Sequence, residues 1–216
     1  ALTNELQTPL IAGVVQRENG SPENASIMYS KAGQMQSVYV KRGLTPFGEF
    51  MPLRKIAEFV SPIAKMVVDF VPGDKLVTHA INGEKLGPII CYEIIIDLLV
   101  RDMANSSKAL IVQTNSATFA NTAESAQQLA ITRIRAVEHS REILSVSTVG
   151  ISAFIDNNGA VISQTAENVS TAISGDVKIS SHQTLADRLG GVAPLLTLTF
   201  AALLAMSSRR KFFAKL

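Results

Sequence analysis

The sequence contains very little of what builds a metal site or a disulfide framework. Among its 216 residues there is one cysteine, Cys91, and there is no tryptophan. A single cysteine cannot close an internal disulfide, and it fits no zinc-binding pattern. We therefore expect no metal ion and no cofactor, so the chemistry of any active site must come from ordinary side chains.

Charge is scarce as well. Charged residues make up 18% of the chain, whereas hydrophobic residues make up 47%. The net charge of +2 comes from interspersed lysines and arginines and not from a basic stripe, which argues against nucleic acid as a partner. The apolar composition instead predicts that part of the protein associates with a membrane.

The two ends of the chain differ. Residues 1–7 are polar, carry neither an initiator methionine nor a signal peptide, and lead into an apolar run, which predicts a C-terminal part of a longer protein. Residues 189–206 contain no charge and are followed by four cations, Arg209, Arg210, Lys211 and Lys215. This pattern predicts a transmembrane helix over 189–206, a basic cytoplasmic tail over 207–216 and a catalytic domain over 1–185 on the outer face. A buried C-terminal helix of a soluble domain is the alternative.

Between these ends, short runs rich in β-branched residues alternate with helical patterns. Strands are predicted over residues 9–16, 24–30, 36–41, 108–116, 143–150 and 170–179. Strands 24–30 and 36–41 are expected to form a hairpin, residues 151–165 form a second hairpin with its turn at 157–159, and two more strands meet at a turn at Asn82 and Gly83. Helices are predicted over 95–107 and 121–142, the second with Thr122 as N-cap, and short helical pieces over 54–70. Strands interleaved with helices predict an α/β domain in which helices cover a sheet.

The loop "KRGLTPFGEFMP", residues 41–52, is a first candidate for chemistry. Its prolines and glycine make it rigid, and it holds Lys41 and Glu49 eight residues apart, so both side chains can enter one pocket. A solvated surface pair is the alternative interpretation of these two residues.

The stretch "GPIICYEI", residues 87–94, is the second candidate. Cys91 either fills the core as a small hydrophobe or acts as a nucleophile. It ends an apolar strand just before a helix, where a thiol can be raised out of the sheet, and this position favours the nucleophile. Glu93 would need a partner if it is buried. The histidines are expected to be solvated and to have no catalytic role; they are His79, His139 and His182.

Together these two segments resemble the nitrilase, or carbon–nitrogen hydrolase, superfamily, and within it the apolipoprotein N-acyltransferases of bacteria. That family has a Tyr-x-Lys before a Leu-x-Pro-Phe-Gly-Glu loop, matched from Tyr39 to Glu49, and an Ile-Cys-Tyr-Glu segment, matched from Ile90 to Glu93. Residues 133–161 are similar to its Arg-x-Arg-Ala-x-Glu helix and the strand that follows. The resemblance implies a nitrilase-like αββα sandwich, of which this chain holds a part.

The resemblance also implies roles for single residues. Cys91 would carry an acyl group as a thioester, Lys41 would stabilise the oxyanion, and Glu49 and Glu93 would orient the lysine and the acceptor amine. The implied substrate-binding residues are Tyr39, Phe47, Tyr92, Asn115 and Phe119. The implied reaction moves a fatty acyl group from a membrane phospholipid to the N-terminal cysteine α-amine of a diacylglyceryl apolipoprotein, at the outer face of the bacterial cytoplasmic membrane.

Two departures from the family pattern bear on activity. The family's glutamate base lies in a Trp-Pro-Glu motif that residues 1–216 do not contain. Ser116 and Thr118 also stand where many members have Asp and Trp. Without the base we expect this chain to be inactive alone, either as part of a longer protein or as a degenerate paralogue. A soluble amidase that uses the same cysteine and lysine, or a membrane-anchored scaffold with a dead fold, are the alternative functions.

Overall fold

A computed structural model describes the backbone of residues 2–213, and the side chains of this range apart from residues 2, 4, 118, 193, 194 and 207–213. After a short helix α1 (Leu2–Leu6), three strands form an antiparallel sheet in the order β1-β2-β3. They are β1 (Leu10–Glu18), β2 (Ser21–Tyr29) and β3 (Met35–Val40). The three predicted strands and the predicted β2–β3 hairpin are confirmed.

A second sheet has six strands in the order β4-β5-β6-β7-β8-β9. They are β4 (His79–Ile81), β5 (Glu84–Ile90), β6 (Ala109–Thr114), β7 (Ile143–Ser147), β8 (Ala153–Ile155) and β9 (Val161–Gln164). The central pairs β5–β6 and β6–β7 are parallel, and the outer pairs are antiparallel. Every residue of β6 is buried, as its continuous apolar run predicts.

Helices α3 (Asp97–Ser106) and α4 (Glu124–His139) are the two crossovers between the parallel strands. They contact the six-stranded sheet, and the three-stranded sheet contacts the same sheet through β2 and β5. The core between these layers is formed by apolar residues such as Ile89, Ile94 and Leu110. This layering confirms the predicted α/β class with helices over sheets.

The segment after the Lys41 loop forms an arm of short helical pieces, as predicted. It contains α2 (Arg54–Val60) and a 3₁₀ turn (Pro62–Met66). Arg54 closes the base of this arm, because its guanidinium donates to both carboxylate oxygens of Asp69 at 2.5 and 3.2 Å and to the carbonyl of Val67 at 2.9 Å.

Two local predictions are wrong. Residues 170–179 form no strand. Strands β6 and β7 already have a neighbouring strand on each side, so this segment is attached through isolated hydrogen bonds. In two of these, Lys178 N–H donates to Glu142 and Ser180 N–H donates to the Lys108 carbonyl. Helix α4 begins at Glu124 with Ala123 at the N-cap, and Thr122 instead accepts the Glu124 N–H at 3.3 Å.

The C-terminal part contains α5 (Leu185–Leu189) and α6 (Val192–Phe213). Gly190, at φ 51°, separates them and so interrupts the apolar stretch near its start. Among the residues that the structure describes, no helix combines the length and apolarity that a membrane crossing requires, so the predicted span over 189–206 is not supported. The predicted basic tail, 207–216, lies outside the described side chains.

Candidate functional site

Cys91 lies where β5 ends and a 3₁₀ turn (Cys91–Ile95) begins. Its backbone is left-handed, with φ 50°, a conformation that costs a residue with a Cβ atom roughly 1–2 kcal/mol. The sharp turn takes the residue out of the sheet at the carboxyl end of a parallel strand, and its side chain is half-buried. The predicted strand-end position of the thiol is confirmed.

Lys41 follows directly on β3 and is fully buried. Its ammonium donates to the two carboxylate oxygens of Glu49 at 2.8 and 2.6 Å and to the Thr45 hydroxyl at 3.1 Å. A buried ammonium needs such a partner, because an unpaired charge inside the protein is very costly. The interpretation of Lys41 and Glu49 as a solvated surface pair is therefore wrong.

Glu49 has two further donors. Its Oε1 accepts from Asn24 Nδ2 and its Oε2 accepts from the Thr45 N–H at 2.7 Å. The carboxylate is thus held from β2 and from its own loop, and it in turn holds the lysine. This network fixes the direction of the Lys41 side chain.

Glu93 joins the two candidate segments. One carboxylate oxygen accepts from the Tyr39 hydroxyl at 2.8 Å and from the N–H groups of Arg42 and Gly43 at 2.7 and 3.0 Å. The other oxygen accepts from the Ile90 N–H at 2.8 Å. Burial raises the pKa of Glu93, and these four hydrogen bonds act in the opposite direction by favouring its charged form. Glu93 therefore ties the residues next to Lys41 to the residue before Cys91.

Three charged side chains influence the pKa of the Cys91 thiol. Burial raises its pKa, the Lys41 ammonium lowers it, and the carboxylates of Glu124 and Glu49 raise it. The lysine charge thus acts on the sulfur in the direction that favours a thiolate. Gln128 in α4 adds a contact on the other side, because its Nε2 donates to the Cys91 carbonyl at 3.4 Å and to the Thr114 hydroxyl at 3.2 Å.

The five residues predicted to bind substrate differ in exposure and in their contacts. Tyr39 is buried on Glu93, whereas Tyr92 is half-buried beside the thiol residue. Phe47 and Phe119 are exposed. Asn115 follows β6, and its side-chain oxygen accepts from Thr148 Oγ1 at 3.0 Å and from the Ala117 N–H at 3.2 Å, so it is occupied by its own turn. Tyr39 thus has a structural bond to Glu93, and Asn115 shapes the loop after β6.

Sequence reasoning missed Asn24, Glu124 and Gln128. Asn24 lies on a strand far from any motif, and Glu124 and Gln128 share a helix whose orientation toward Cys91 no local pattern reveals. The spacing of four residues between Glu124 and Gln128 indicates that they share one face of the helix, but not what that face contacts.

Two of the histidines also differ from expectation, because they are buried and not solvated. His79 lies between the hydroxyls of Ser26 and Ser37 at 2.9 and 2.7 Å. His139 Nδ1 lies 2.6 Å from the carboxylate of Asp187 in α5. Neither bond involves the cysteine or the lysine, so both histidines belong to the scaffold. In the described part of the chain, no group of three His, Cys, Asp or Glu side chains is placed to hold a metal ion.

Comparison with curated proteins gives relatives that are much longer than this chain. The chain is 33% identical to the apolipoprotein N-acyltransferase of Mycolicibacterium smegmatis over 190 residues, which are 85% of this chain and 32% of that protein. It is 27% identical to the apolipoprotein N-acyltransferase of Geobacter metallireducens over 216 residues, which are 97% of this chain and 42% of that protein. The chain thus spans less than half of the length of these relatives.

Solved structures with the same fold come from amidases and nitrilase relatives. The amidase from Nesterenkonia sp. AN1 superposes with a TM-score of 0.59 at 15% identity, covering 77% of this chain and 60% of that one. Nit3 from Saccharomyces cerevisiae, a member of the nitrilase superfamily, gives 0.59 at 19% identity, covering 78% and 59%. A family profile described as carbon-nitrogen hydrolase matches residues 1–187. Since that profile covers most of the chain and the fold agrees with it, the protein belongs to the carbon-nitrogen hydrolase family.

Proposed function

We propose that this chain is the Cys91-bearing part of an apolipoprotein N-acyltransferase. The reaction moves a fatty acyl group from a membrane phospholipid to Cys91 and then to the N-terminal α-amine of a diacylglyceryl apolipoprotein. The names of the relatives from Mycolicibacterium smegmatis and Geobacter metallireducens support this choice of substrates over a small amide.

The connection of the Cys91 turn to the Lys41 loop through Glu93 supports this function. The thiol of Cys91 and the ammonium of Lys41 come from different sheets, and Glu93 fixes their loops to each other through bonds to Ile90 and to Arg42 and Gly43. A nucleophile held next to a buried cation is the arrangement that acyl transfer requires, because negative charge develops on the carbonyl oxygen during attack. Lys41 would stabilise that oxygen, and Glu49 would keep the lysine in place.

The proposed reaction has two steps. The Cys91 sulfur attacks the ester carbonyl, the ester C–O bond breaks, and the thiol proton leaves on the lysophospholipid hydroxyl. The acceptor amine then attacks the thioester, the C–S bond breaks, an amide forms, and the amine proton returns to the sulfur. The resemblance assigns these proton transfers to a glutamate of a Trp-Pro-Glu motif outside residues 1–216, so we expect turnover only from the protein made from its complete reading frame.

The arm after the Lys41 loop supports a lipid substrate. Large apolar side chains on it are exposed, among them Leu53 at 77%, Phe59 at 92% and Met66 at 79%. Exposed apolar patches of this kind mark sites of contact with a membrane or a partner. Together with Phe47, which is 67% exposed, the arm would lie on the outer face of the bacterial cytoplasmic membrane and admit the acyl chain to Cys91.

The test uses the protein expressed from its complete reading frame and incubated with phospholipid vesicles. Mass spectrometry should find one fatty acyl group on the peptide that contains Cys91, labile to hydroxylamine as a thioester is. A diacylglyceryl peptide with a free N-terminal amine should then receive the group as a stable amide.

The control variant is Cys91→Ser, in which the acylated peptide should be absent. Absence of a thioester from the unmodified protein with every phospholipid tried would overturn the acyltransferase function. Release of free fatty acid at an equal rate with and without the acceptor peptide would instead indicate a hydrolase.

A further inference from the structure

A cavity of about 320 Å³ lies between the two sheets, at the carboxyl ends of the parallel strands β5, β6 and β7. Strands β1 and β2 close it on the opposite side, and β5 contributes Ile90, the residue before Cys91. Ligand sites in α/β proteins lie preferentially at this edge of a sheet, and a volume of this size is typical of them. The cavity is therefore placed and sized to take part of a substrate.

The wall of this cavity is uncharged in the part of the chain that the structure describes. None of the described residues that line it has an ionisable side chain, and its apolar part is formed by Val14, Val15, Ala25, Ile90 and Val146. A phosphate or an ammonium group would lose hydration there without gaining a counter-charge. The cavity therefore suits an uncharged group.

Gln113 interrupts an apolar row on this wall. It pairs with Ile90 of β5 on one side and with Val146 of β7 on the other, and it is 9% exposed. A buried amide between two apolar neighbours is costly unless it forms hydrogen bonds. The position thus favours an apolar side chain, and a glutamine there needs a reason.

The side chain of Gln113 points toward the three-stranded sheet. Successive residues of a strand face opposite sides, and the next residue, Thr114, bonds to Gln128 on helix α4. The amide nitrogen of Gln113 lies over Gly13 of β1, where an added Cβ atom would be 3.4 Å from it. The absence of a side chain at Gly13 thus leaves space for the amide beside the cavity.

The side-chain oxygen of Gln113 is buried and has no hydrogen-bond donor among the described residues. Buried polar atoms of native proteins almost always have a partner, so we expect this oxygen to meet one that enters the cavity. Because the last torsion of a glutamine side chain is broad, the oxygen can turn into the cavity at small cost. An uncharged group with an N–H would supply the missing donor.

The two substrates of the proposed reaction differ in such donors. The ester groups of a phospholipid offer acceptors and no donor, and its headgroup carries a phosphate charge that the cavity does not match. The first peptide group of the acceptor is uncharged, and it offers an N–H to the oxygen of Gln113 and a carbonyl to its nitrogen. This peptide group is one residue from the reacting α-amine, and Gln113 is one strand, about 4.8 Å, from the residue before Cys91, so both parts of the acceptor can be in place together.

We propose that Gln113 binds the peptide group that follows the N-terminal cysteine of the acceptor and thereby positions the α-amine for attack on the Cys91 thioester. This subsite rests on the proposed acyl transfer and deepens it, because it identifies the part of the acceptor that is recognised. Recognition through the backbone makes binding independent of the side chain of the second acceptor residue.

The test compares two acceptor probes that differ in one group. One is S-hexylcysteinyl-alaninamide, and the other is the ester of S-hexylcysteine with lactamide, in which an oxygen replaces the peptide N–H. Both are titrated calorimetrically into the protein made from its complete reading frame, without phospholipid, so that no acyl group is transferred. Wild type should bind the peptide about tenfold more tightly than the ester, because the ester cannot donate to Gln113.

The variant Gln113→Met keeps the length of the side chain and removes the amide. It should bind the peptide and the ester with equal affinity, an effect that a purely structural role of Gln113 would not give. The matched control is Gln164→Met, at the exposed end of β9, which should keep the preference of wild type. Gln113→Met should also unfold at a temperature no lower than wild type, because an oxygen without a donor has been removed.

Each other outcome contradicts the subsite. Equal affinity of wild type for the two probes overturns it, and so does an undiminished preference for the peptide in Gln113→Met. A clear fall in the unfolding temperature of Gln113→Met would mean that the amide has partners within the folded protein. Binding of glycerophosphoglycerol that depends on Gln113 would assign the cavity to the phospholipid headgroup instead. Fatty thioester formation on Cys91 needs no acceptor, so the subsite can fail while the acyltransferase function stands.

Discussion

The ammonium of Lys41 lies 2.6 and 2.8 Å from the two carboxylate oxygens of Glu49, and the lysine side chain has no exposed surface. The pair connects the end of β3 with the loop that follows it. A second ion pair of the chain, Arg54 with Glu58, joins its partners at 3.1 Å with both side chains about a third exposed. A comparison of the two pairs therefore separates the effect of burial on stability from the effect of charge.

Replacing Glu49 by Gln should destabilise the protein strongly. The variant leaves the buried Lys41 ammonium without a counter-charge, which costs about 3–5 kcal/mol. Glu58→Gln breaks the exposed pair and should cost less than about 1 kcal/mol. Urea unfolding at pH 7 measures both, and equal losses in the two variants would contradict the buried-charge explanation.

The backbone at Cys91 predicts an unusual order among its variants. Since φ is 50°, Cys91→Gly should be more stable than Cys91→Ala by about 1–2 kcal/mol, because glycine has no Cβ atom to strain this conformation. At Ser163, within strand β9, the order should reverse. Thermal unfolding of the glycine and alanine variants at Cys91 and at Ser163 measures both orders of stability. If Cys91→Ala is more stable than Cys91→Gly, the backbone at Cys91 is not strained.

His79 should make stability depend on pH. Burial lowers its pKa from the ordinary 6.5 to about 4, so between these values the unfolded chain binds more protons than the folded one. The contribution of the neutral His79 imidazole to the free energy of unfolding is fully present above pH 6.5. It is lost as the pH falls toward 4, a change of about 3 kcal/mol.

The difference in unfolding free energy between wild type and His79→Gln measures this contribution. It should rise by that amount from pH 4 to 6.5 and stay flat above. His182→Gln, which replaces an exposed histidine, is the control variant for the loss of an imidazole. A flat curve for His79→Gln would mean that the buried imidazole is easily protonated.

Arg141 should prove essential for holding the C-terminal segment. Within the described residues its buried guanidinium donates to carbonyl groups alone, including those of Ala104, Ser107 and His182, and burial lowers the pKa of this arginine. Arg141→Met leaves these acceptors without a donor and should cost about 3 kcal/mol. It should also open residues 166–184 to limited proteolysis.

The control for Arg141 is Arg133→Met. Arg133 is exposed and donates to one carbonyl, that of Gly159, so its loss should cost less than about 1 kcal/mol and leave proteolysis unchanged. Protection of residues 166–184 in Arg141→Met would mean that other contacts hold the segment.

The sequence allowed the order of elements and the placement of Cys91 to be predicted, because both depend on local pattern. Alternation of apolar residues located the strands, and the apolar run before Cys91 located the end of β5. The strand prediction for residues 170–179 is wrong because apolar residues alternate there as in a strand, yet the sheet has no free edge beside them. Whether an edge is free depends on the whole topology, which no local window contains.

The contacts that assemble the site were beyond such patterns. Asn24 reaches Glu49 across 25 positions, and Tyr39 reaches Glu93 across 54. Glu124 stands in no motif, and its proximity to the thiol follows only from how α4 crosses the sheet. His79 and His139 were assigned to solvent because a polar side chain in a turn or at a helix end is usually exposed, and their partners are distant in sequence.

The carboxylate of Glu93 also bridges the two sheets, because it accepts hydrogen bonds from Ile90 at the end of β5 and from Arg42 after β3. His79 of β4 joins the same two sheets at a second place, through Ser26 in β2 and Ser37 in β3. Since the two connections lie at different places, one sheet cannot slide over the other without breaking buried hydrogen bonds. The segments that carry Lys41 and Cys91 are thereby held in a fixed alignment.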